Sequence, residues 1–554
     1  MKEQVVSVLS KLIKLDKKEI EKLVEIPKDS SLGDFAFPCF SLSREMKKNP
    51  VEIAKDLSGK LKSKEFEKVE AKGPYLNFFV NKSDLISETL KAILKEKDKY
   101  GSSSMGKGKT IVIDMSSPNM AKPFGIGHLR STIIGNSISQ ISKFSGFKVI
   151  KINYLGDWGT PYGKIISGFQ DFGNKSELKK NPIKHLYEIY VKVSKDEKYE
   201  EKGRETFRKL ESGDPKIIKI WEEFRKLSLN EFKKIYSLLN IDFDVVSGES
   251  LYNNKMDAVV KELEKKNLLE ESEGAMIVNL EKYGLEPCLI KKSDGTTLYA
   301  TRDITAAIDR HNKYHFDRLF YEVGQEQKLH FKQFFKVLEL MGYPWAKNCV
   351  HIEHGLYLGE DGKKFATRHG KTIFMEDVLN ETIELAKKEI EKREKVKGNE
   401  LAKRAKAIAL SAILYGDLKN YRANDAVFDI EKFLSFEGNT GPYLLYSYAR
   451  AKSIVRKSKV KPKVESINLS EKETRLITKL SQFPEVVNHS YAQLSPNLIA
   501  NYSFELSQLF NEFYHSTQVI GAENEASRLA IVSAFAQVLK NALSLLGIST
   551  IEKM

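Results

Sequence analysis

The stretch TIVIDMSSPNMAKPFGIGHLRST, residues 110–132, reads in three parts. Thr110 to Met115 is a short apolar, β-branched run of the kind that forms a strand buried in a parallel sheet. From His128 to Phe144, Leu129, Ile133, Ile134, Ile138 and Ile141 recur at helical spacing, and Gly146 ends the run. Between the two lies a loop rich in proline and glycine. A strand, a glycine loop and a helix start together make an anion site, because the first N–H groups of a helix lack partners within it and its dipole is positive at that end. His128, on the first turn, would face a phosphate docked there; a histidine beside glycine serves equally as a helix cap or a buried ring.

Working outward, the middle 300 or so residues alternate strands and helices. Candidate strands are Thr110–Met115, Phe147–Tyr154, Leu319–Val323 and Val350–Leu358, which predicts a doubly wound parallel sheet with ligands at the carboxyl ends of its strands. The charged, helical stretch from Asn174 to Asn279 reads as an insertion between the two halves of that sheet. Residues 1 to about 100 mix helices with a few strands, among them Tyr75–Val80 with its aromatic alternation. Tyr100–Lys109 has the Gly/Ser content of a hinge. From about Glu400 to Met554 helical periodicity dominates. The expected class is therefore a multidomain α/β protein: an N-terminal α+β domain over 1–105, a parallel-sheet domain over 106–400 with a helical insertion at about 174–279, and an α-helical bundle over 401–554.

A chain of 554 residues is too long for one core. Its 90 Lys and Arg against 75 Asp and Glu leave a net charge of +15. That excess suits a polyanionic partner, nucleic acid ahead of a membrane surface, although a lysine-rich proteome gives the same balance. Cys39, Cys288 and Cys349 show no paired spacing, so neither a zinc site nor a disulfide framework is expected, and a reducing cytoplasm fits. The start, MKEQVVSVLSKLIKLDKKEIEKL, reads as an amphipathic helix rather than a signal peptide. The most apolar run, Ala405–Tyr415, is interrupted by Lys406 and is too short to span a bilayer.

Four further segments carry chemistry: GDWGTPYGK at 156–164, TTLYATRD at 296–303, YEVGQEQKLHFKQ at 321–333 and GKKFATRHG at 362–370. A planar, permanently charged guanidinium needs acceptors in a fixed fork, and a carboxylate beside an aromatic face supplies them. If Thr301 opens a helix after a strand ending in Tyr299, then Tyr299 and Asp303 lie four apart and face one pocket. The Asp-Gly at 294–295 suggests a hairpin that presents Tyr299. Asp303 also reads as an ordinary first-turn acid favoured by the helix dipole, and GKKFATRHG as a solvated basic hairpin tip.

Together with SSPNMAKPFGIGHLRSTIIGN, these motifs resemble, in order and over nearly the whole chain, the class I aminoacyl-tRNA synthetases and among them the arginyl-tRNA synthetases. The resemblance implies a Rossmann-type catalytic domain, an additional N-terminal domain that contacts tRNA and a helical anticodon-binding domain. It implies as substrates ATP with Mg2+, L-arginine and tRNA(Arg), no tightly bound metal, activation that depends on bound tRNA, and a cytoplasmic monomer with no membrane partner. His128 matches the second histidine of the signature loop, Gly125 stands where the first would be, and Gly127 lets the backbone approach the nucleotide. Lys364 matches the first lysine of the second signature loop, whose second lysine is replaced by Thr367. That leaves Lys122 and Arg368 to share the triphosphate with it.

The resemblance also assigns Asp114, Asn119, Tyr299, Asp303 and Gln327 to arginine, His330 to the adenosine, and Asp157 and Trp158 to the wall of the site. For tRNA it points to Tyr75 and Asn77 in the first domain. In the last domain Tyr443, Tyr446 and Arg450 belong to GPYLLYSYARAKSIVRKSKVKPK, where aromatics for stacking alternate with cations for phosphates. Tyrosines at that spacing are also ordinary packing residues. Another class I synthetase would share the glycine–histidine loop without pairing Tyr299 and Asp303, and a non-catalytic RNA-binding paralogue would keep the basic surfaces alone.

Overall fold

The computed structural model describes residues 2–25, 27, 29, 32–61, 66–80, 82–292, 299–359, 362, 374–465 and 469–554. They divide into two compact units. The first takes in Met1–Lys97, Lys457–Gln482 and Glu512–Ala534. Its sheet has β1 (Phe35–Pro38), β2 (Phe66–Lys72) and β3 (Tyr75–Val80), antiparallel with β3 in the centre. Leu76 and Phe78 on one face of β3 are sealed against Val5, Leu9, Ile53 and Leu57. The start of the chain forms two helices, Lys2–Leu9 and Lys17–Leu23, where one was expected. Asp16 is the reason: its carboxylate accepts the Lys18 N–H at 2.6 Å and caps a new helix.

The second unit takes in Asp98–Arg456, Phe483–Asn511 and Phe535–Met554 and is built around an all-parallel five-stranded sheet. Its strands are β4 (Thr110–Ser116), β5 (Lys148–Leu155), β6 (Val245–Gly248), β10 (Arg318–Gly324) and β11 (Cys349–His354), in the order β11-β10-β4-β5-β6. β4 lies in the middle, and Ile111, Val112 and Ile113 are wholly buried, each contributing roughly 2 kcal/mol of apolar burial. Helix Ile126–Phe144 lies against it. Gly135 permits that approach, since a Cβ there would fall 2.2 Å from the Met115 Cβ.

Between β6 and β10 an antiparallel sheet of β7 (Glu270–Ser272), β8 (Ala275–Val278) and β9 (Cys288–Lys291) covers one side of the unit. The stretch 174–279 is thus not helical throughout: helices run to Leu239, the chain then joins the main sheet as β6, and helix Met256–Lys265 follows before β7 and β8. The expected strand Val350–Leu358 is two pieces. At Gly355 the chain leaves β11, its N–H donating to the Arg422 carbonyl, and β12 (Tyr357–Leu358) pairs instead with β13 (Ala426–Val427). The expected hinge at Tyr100–Lys109 is packed: Tyr100 is buried and stacks on Phe483, and the Gly106 N–H donates to the Ser145 carbonyl. Among the described residues no helix is long and apolar enough to cross a membrane.

Candidate active site

The chain moves outward from β4 in both directions, to β5 and β6 on one side and to β10 and β11 on the other. Loops leaving the carboxyl ends of β4 and β10 therefore part at a topological switch point, where a ligand can enter between them. The loop after β4 is fixed by the loop after β5: Asn119 bridges Gly156, the Met120 N–H donates to the Gly156 carbonyl at 2.9 Å, and the Tyr162 hydroxyl donates to the same carbonyl. Ala121 adopts a left-handed φ of 60° with its N–H on the Ser228 hydroxyl, a strained conformation held by its surroundings.

That loop delivers Gly125 as the N-cap of helix Ile126–Phe144. Glycine offers no capping side chain, so the first-turn N–H groups stay open to an anion. His128 reaches back and its Nδ1 accepts the Gly125 N–H at 3.0 Å, which leaves the ring proton on Nε2. Burial pushes the imidazole down to about 4, and the Lys122 charge pushes the same way. At pH 7 His128 is therefore a neutral N–H donor. Its backbone carbonyl is pinned by the Ser131 and Thr132 hydroxyls, and Thr132 continues through Ser116 to Tyr236. Gly127 is exposed, and a Cβ there would meet no protein atom within 4 Å. The Lys122 ammonium sits 4.4 Å over the Tyr190 ring, on helix Pro182–Ser194. Lys364 and Arg368 lie outside the described residues.

The acidic side of the site starts on helix Tyr299–Tyr314, which begins at Tyr299, two residues before the expected Thr301. The residues of the Asp-Gly turn, 294–295, lie outside those described. Tyr299 is 56 % exposed; one turn later Asp303 bonds His330 Nε2 at 2.7 Å, and the His330 ring lies 4.7 Å from that of Tyr299. Tyr299, Asp303 and His330 thus form one cluster, with His330 against the carboxylate. Gln327 ends the short turn after β10 and is exposed beside it, and Asn119 is exposed on the facing loop.

Asp114 is differently placed. It is buried, with one carboxylate oxygen 2.7 Å from Arg310 and the other facing Ser117, and burial raises its affinity for a proton while Arg310 opposes that. Arg310 in turn lies under the Tyr154 and Tyr321 rings. Asp157 is buried and accepts bonds from Arg225 and from the Ser250 N–H and hydroxyl, while Trp158 packs against Trp221 and Phe207.

Two residues of this side escape the sequence reading. Glu249 follows β6 and faces Arg302 at 3.5 Å. Burial pushes its carboxyl up to about 7, Arg302 opposes the shift, and Asp303 and Asp157 add to it. β6 has only four residues, too few to show an alternation, so nothing marked Glu249 as lying at a strand end. Arg310 had a usable signal, since it lies seven residues after Asp303, on the face that buries Ile304 and Ala307.

Further out, Tyr75 meets the exposed ring of Phe40 edge-on at 5.8 Å, and Asn77 is only 2 % exposed. On helix Gly441–Lys457 the Tyr446 ring is 39 % exposed with the Arg450 guanidinium 4.7 Å above it. Asn511 joins Arg450 to the Tyr443 hydroxyl, and Tyr448 is buried.

Residues 89–430 match the family model for the catalytic domain of class I tRNA synthetases (R). Residues 444–554 match the DALR anticodon binding domain and residues 1–80 the arginyl tRNA synthetase N terminal domain. The chain is 47 % identical over 553 residues to an arginine–tRNA ligase of Clostridium perfringens, covering 98 % of each chain. The chain belongs to the arginyl-tRNA synthetase family. A second relative, the arginine–tRNA ligase of Streptococcus pneumoniae, is 46 % identical over 565 residues and is matched over the full length of both. Among solved structures, arginyl-tRNA synthetases of Thermus thermophilus (TM-score 0.84, 23 % identity) and Plasmodium falciparum (TM-score 0.82, 24 % identity) share the fold over 100 % of this chain and 99 % of theirs.

Proposed function

We propose that this chain is an arginine–tRNA ligase: it activates L-arginine with ATP and transfers it to the 3′-terminal adenosine of tRNA(Arg), with tRNA bound before activation. In the first step an arginine carboxylate oxygen attacks the α-phosphorus of ATP, the bond to the β-phosphate bridge breaks, and pyrophosphate leaves. In the second a ribose hydroxyl attacks the adenylate carbonyl and AMP leaves. Both steps call for positioning and for donors aimed at developing negative charge. His128 supplies a neutral Nε2–H and the open first turn its N–H groups, with Gly125 and Gly127 leaving room for the nucleotide. Lys122, Lys364 and Arg368 supply positive charge. ATP arrives with its Mg2+ as the substrate complex.

The observation that carries arginine is the cluster of Asp303, Tyr299 and His330 with Glu249 nearby. Two carboxylates around an aromatic face suit a guanidinium and repel nothing else about it. Asn119 and Gln327 offer oxygens to the ammonium group. Asp114, bonded to Arg310, is assigned the part of fixing Arg310 beneath the site. Tyr446 with Arg450 and Tyr443 form a stacking and phosphate surface for the anticodon loop, and Tyr75 a second tRNA contact; Asn77, buried in β3, has no surface for RNA and is not part of it. The division into 1–105, 106–400 and 401–554, a cytoplasmic location and a monomeric state belong to the same reading.

Charging tests it. With bulk tRNA and ATP, labelled arginine should become acid-precipitable and labelled lysine should not, because an ammonium cannot pair with both carboxylates as the guanidinium fork does. Charging of lysine or another amino acid in its place would refute the arginine assignment.

A further inference from the structure

Arg130 lies two residues beyond His128 on the helix that opens the nucleotide side of the site, yet its side chain is 1 % exposed and points away from it. Its Nη1 donates to the Leu356 carbonyl at 2.9 Å and its Nη2 to the Asn424 carbonyl at 2.8 Å, with the Arg422 carbonyl at 3.3 Å. Nε faces Asp417 Oδ1 at 3.1 Å, and the guanidinium lies over the Tyr357 ring at 5.2 Å. One fork therefore joins the helix that carries His128, the chain just before the GKKFATRHG segment, and the end of helix Gly398–Leu418 with the residues that follow it.

The neighbourhood is tight and charged. Glu322 on β10 bonds His354 Nδ1 on β11 at 2.9 Å, and both are buried. Burial raises the proton affinity of Asp417 and Arg130 opposes it. Arg422 donates to the carbonyls of Glu353 and Leu494, and the Leu356 N–H donates to Asp425. At Gly355 two backbones touch: an added Cβ would stand 2.5 Å from the Asn424 carbonyl carbon. A buried ion pair alone is weak support for stability and is often replaceable by apolar side chains. A guanidinium that spends its other donors on carbonyls of two separate segments fixes geometry instead.

We propose that Arg130 is a positioning residue for ATP: through Leu356, Asn424 and Asp417 it sets the separation between the helix start bearing His128 and the chain entering the lysine loop, and the Gly355–Asn424 contact sets the same separation. The inference rests on the function proposed above. Neither Arg130 nor Asp417 touches substrate in it.

Two variants test it by different routes. Arg130→Met combined with Asp417→Leu removes the fork without stranding a buried charge, and Gly355→Ala wedges the junction while every charge stays. Arginine-dependent ATP–pyrophosphate exchange with saturating tRNA, together with tRNA affinity by fluorescence titration, is measured for each folded variant. The KM for ATP should rise about tenfold while the KM for arginine and the Kd for tRNA stay within twofold. A lesion that lowers only the folded fraction reduces the maximal rate and leaves KM in place, so the KM reading separates positioning from stability. An unchanged ATP KM in the folded double variant overturns the inference. Should that variant not fold, an unchanged ATP KM in Gly355→Ala overturns it. Wild-type protein that exchanges with no amino acid would instead refute the functional reading, and this inference with it.

Discussion

A guanidinium that leaves water for the space beside Asp303 exchanges many hydrogen bonds for a few, so each acceptor there counts. Asp303→Ala removes one charged acceptor and frees His330 from its partner. Losing hydrogen bonds to a charged group costs roughly 3 kcal/mol, so the KM for arginine should rise about a hundredfold, far more than the KM for ATP, which changes only as far as the freed His330 shifts. Steady-state exchange kinetics check both. Glu249 gives a pH signature. Its folded carboxyl holds a proton up to about 7, above an ordinary 4.5, so its stabilising protonated form is complete below pH 4.5 and is lost as pH rises through 7. Glu249→Gln should therefore melt higher than the wild type at pH 8 and alike at pH 4.5. Arginine binds the ionised carboxylate and releases its proton, so wild-type affinity should strengthen between pH 6 and 8, and Glu249→Gln should flatten that slope. At the opposite end of the site, Gly127→Ala adds a Cβ that meets no protein atom within 4 Å. It should leave the melting temperature within a degree or two and raise the KM for ATP at least tenfold.

Strand β4 and the helix after it were legible because their signals are long: five apolar or β-branched residues in six positions, then five aliphatic residues at helical spacing. β5 and β10 were legible to within a residue for the same reason, and β11 at its start, though not at its end. β6 and Glu249 were not, since four residues carry no period. The break at Gly355 was hidden because its cause, the backbone of Asn424, is 69 residues away in the chain; periodicity sees only neighbours. The Tyr299–Asp303 pair was readable as a four-residue spacing, whereas the partner of Asp114 required the fold to bring Arg310 under the sheet. Packing at this scale is testable at Gly135. Gly135→Val would drive the helix from β4 and should destabilise by about 1–3 kcal/mol in urea titration, since overpacking forces strand and helix apart. On helix Gly441–Lys457, Tyr446→Ala should weaken tRNA binding about tenfold, a stacked base contributing roughly 1–3 kcal/mol, with arginine KM unaltered.

For the whole molecule, the net charge of +15 and the aromatics proposed above for tRNA put nucleic acid at one end of the proposed chemistry and adenylate formation at the other. The central claim is that the site works on arginine and only with tRNA in place. ATP–pyrophosphate exchange on purified protein, run with arginine, lysine, glutamate and cysteine in turn, each with and without tRNA, tests it most directly. Exchange should appear in the tube that holds both arginine and tRNA and stay at background in all others. Exchange with a different amino acid, or none in any tube while folded protein still binds tRNA, would contradict it.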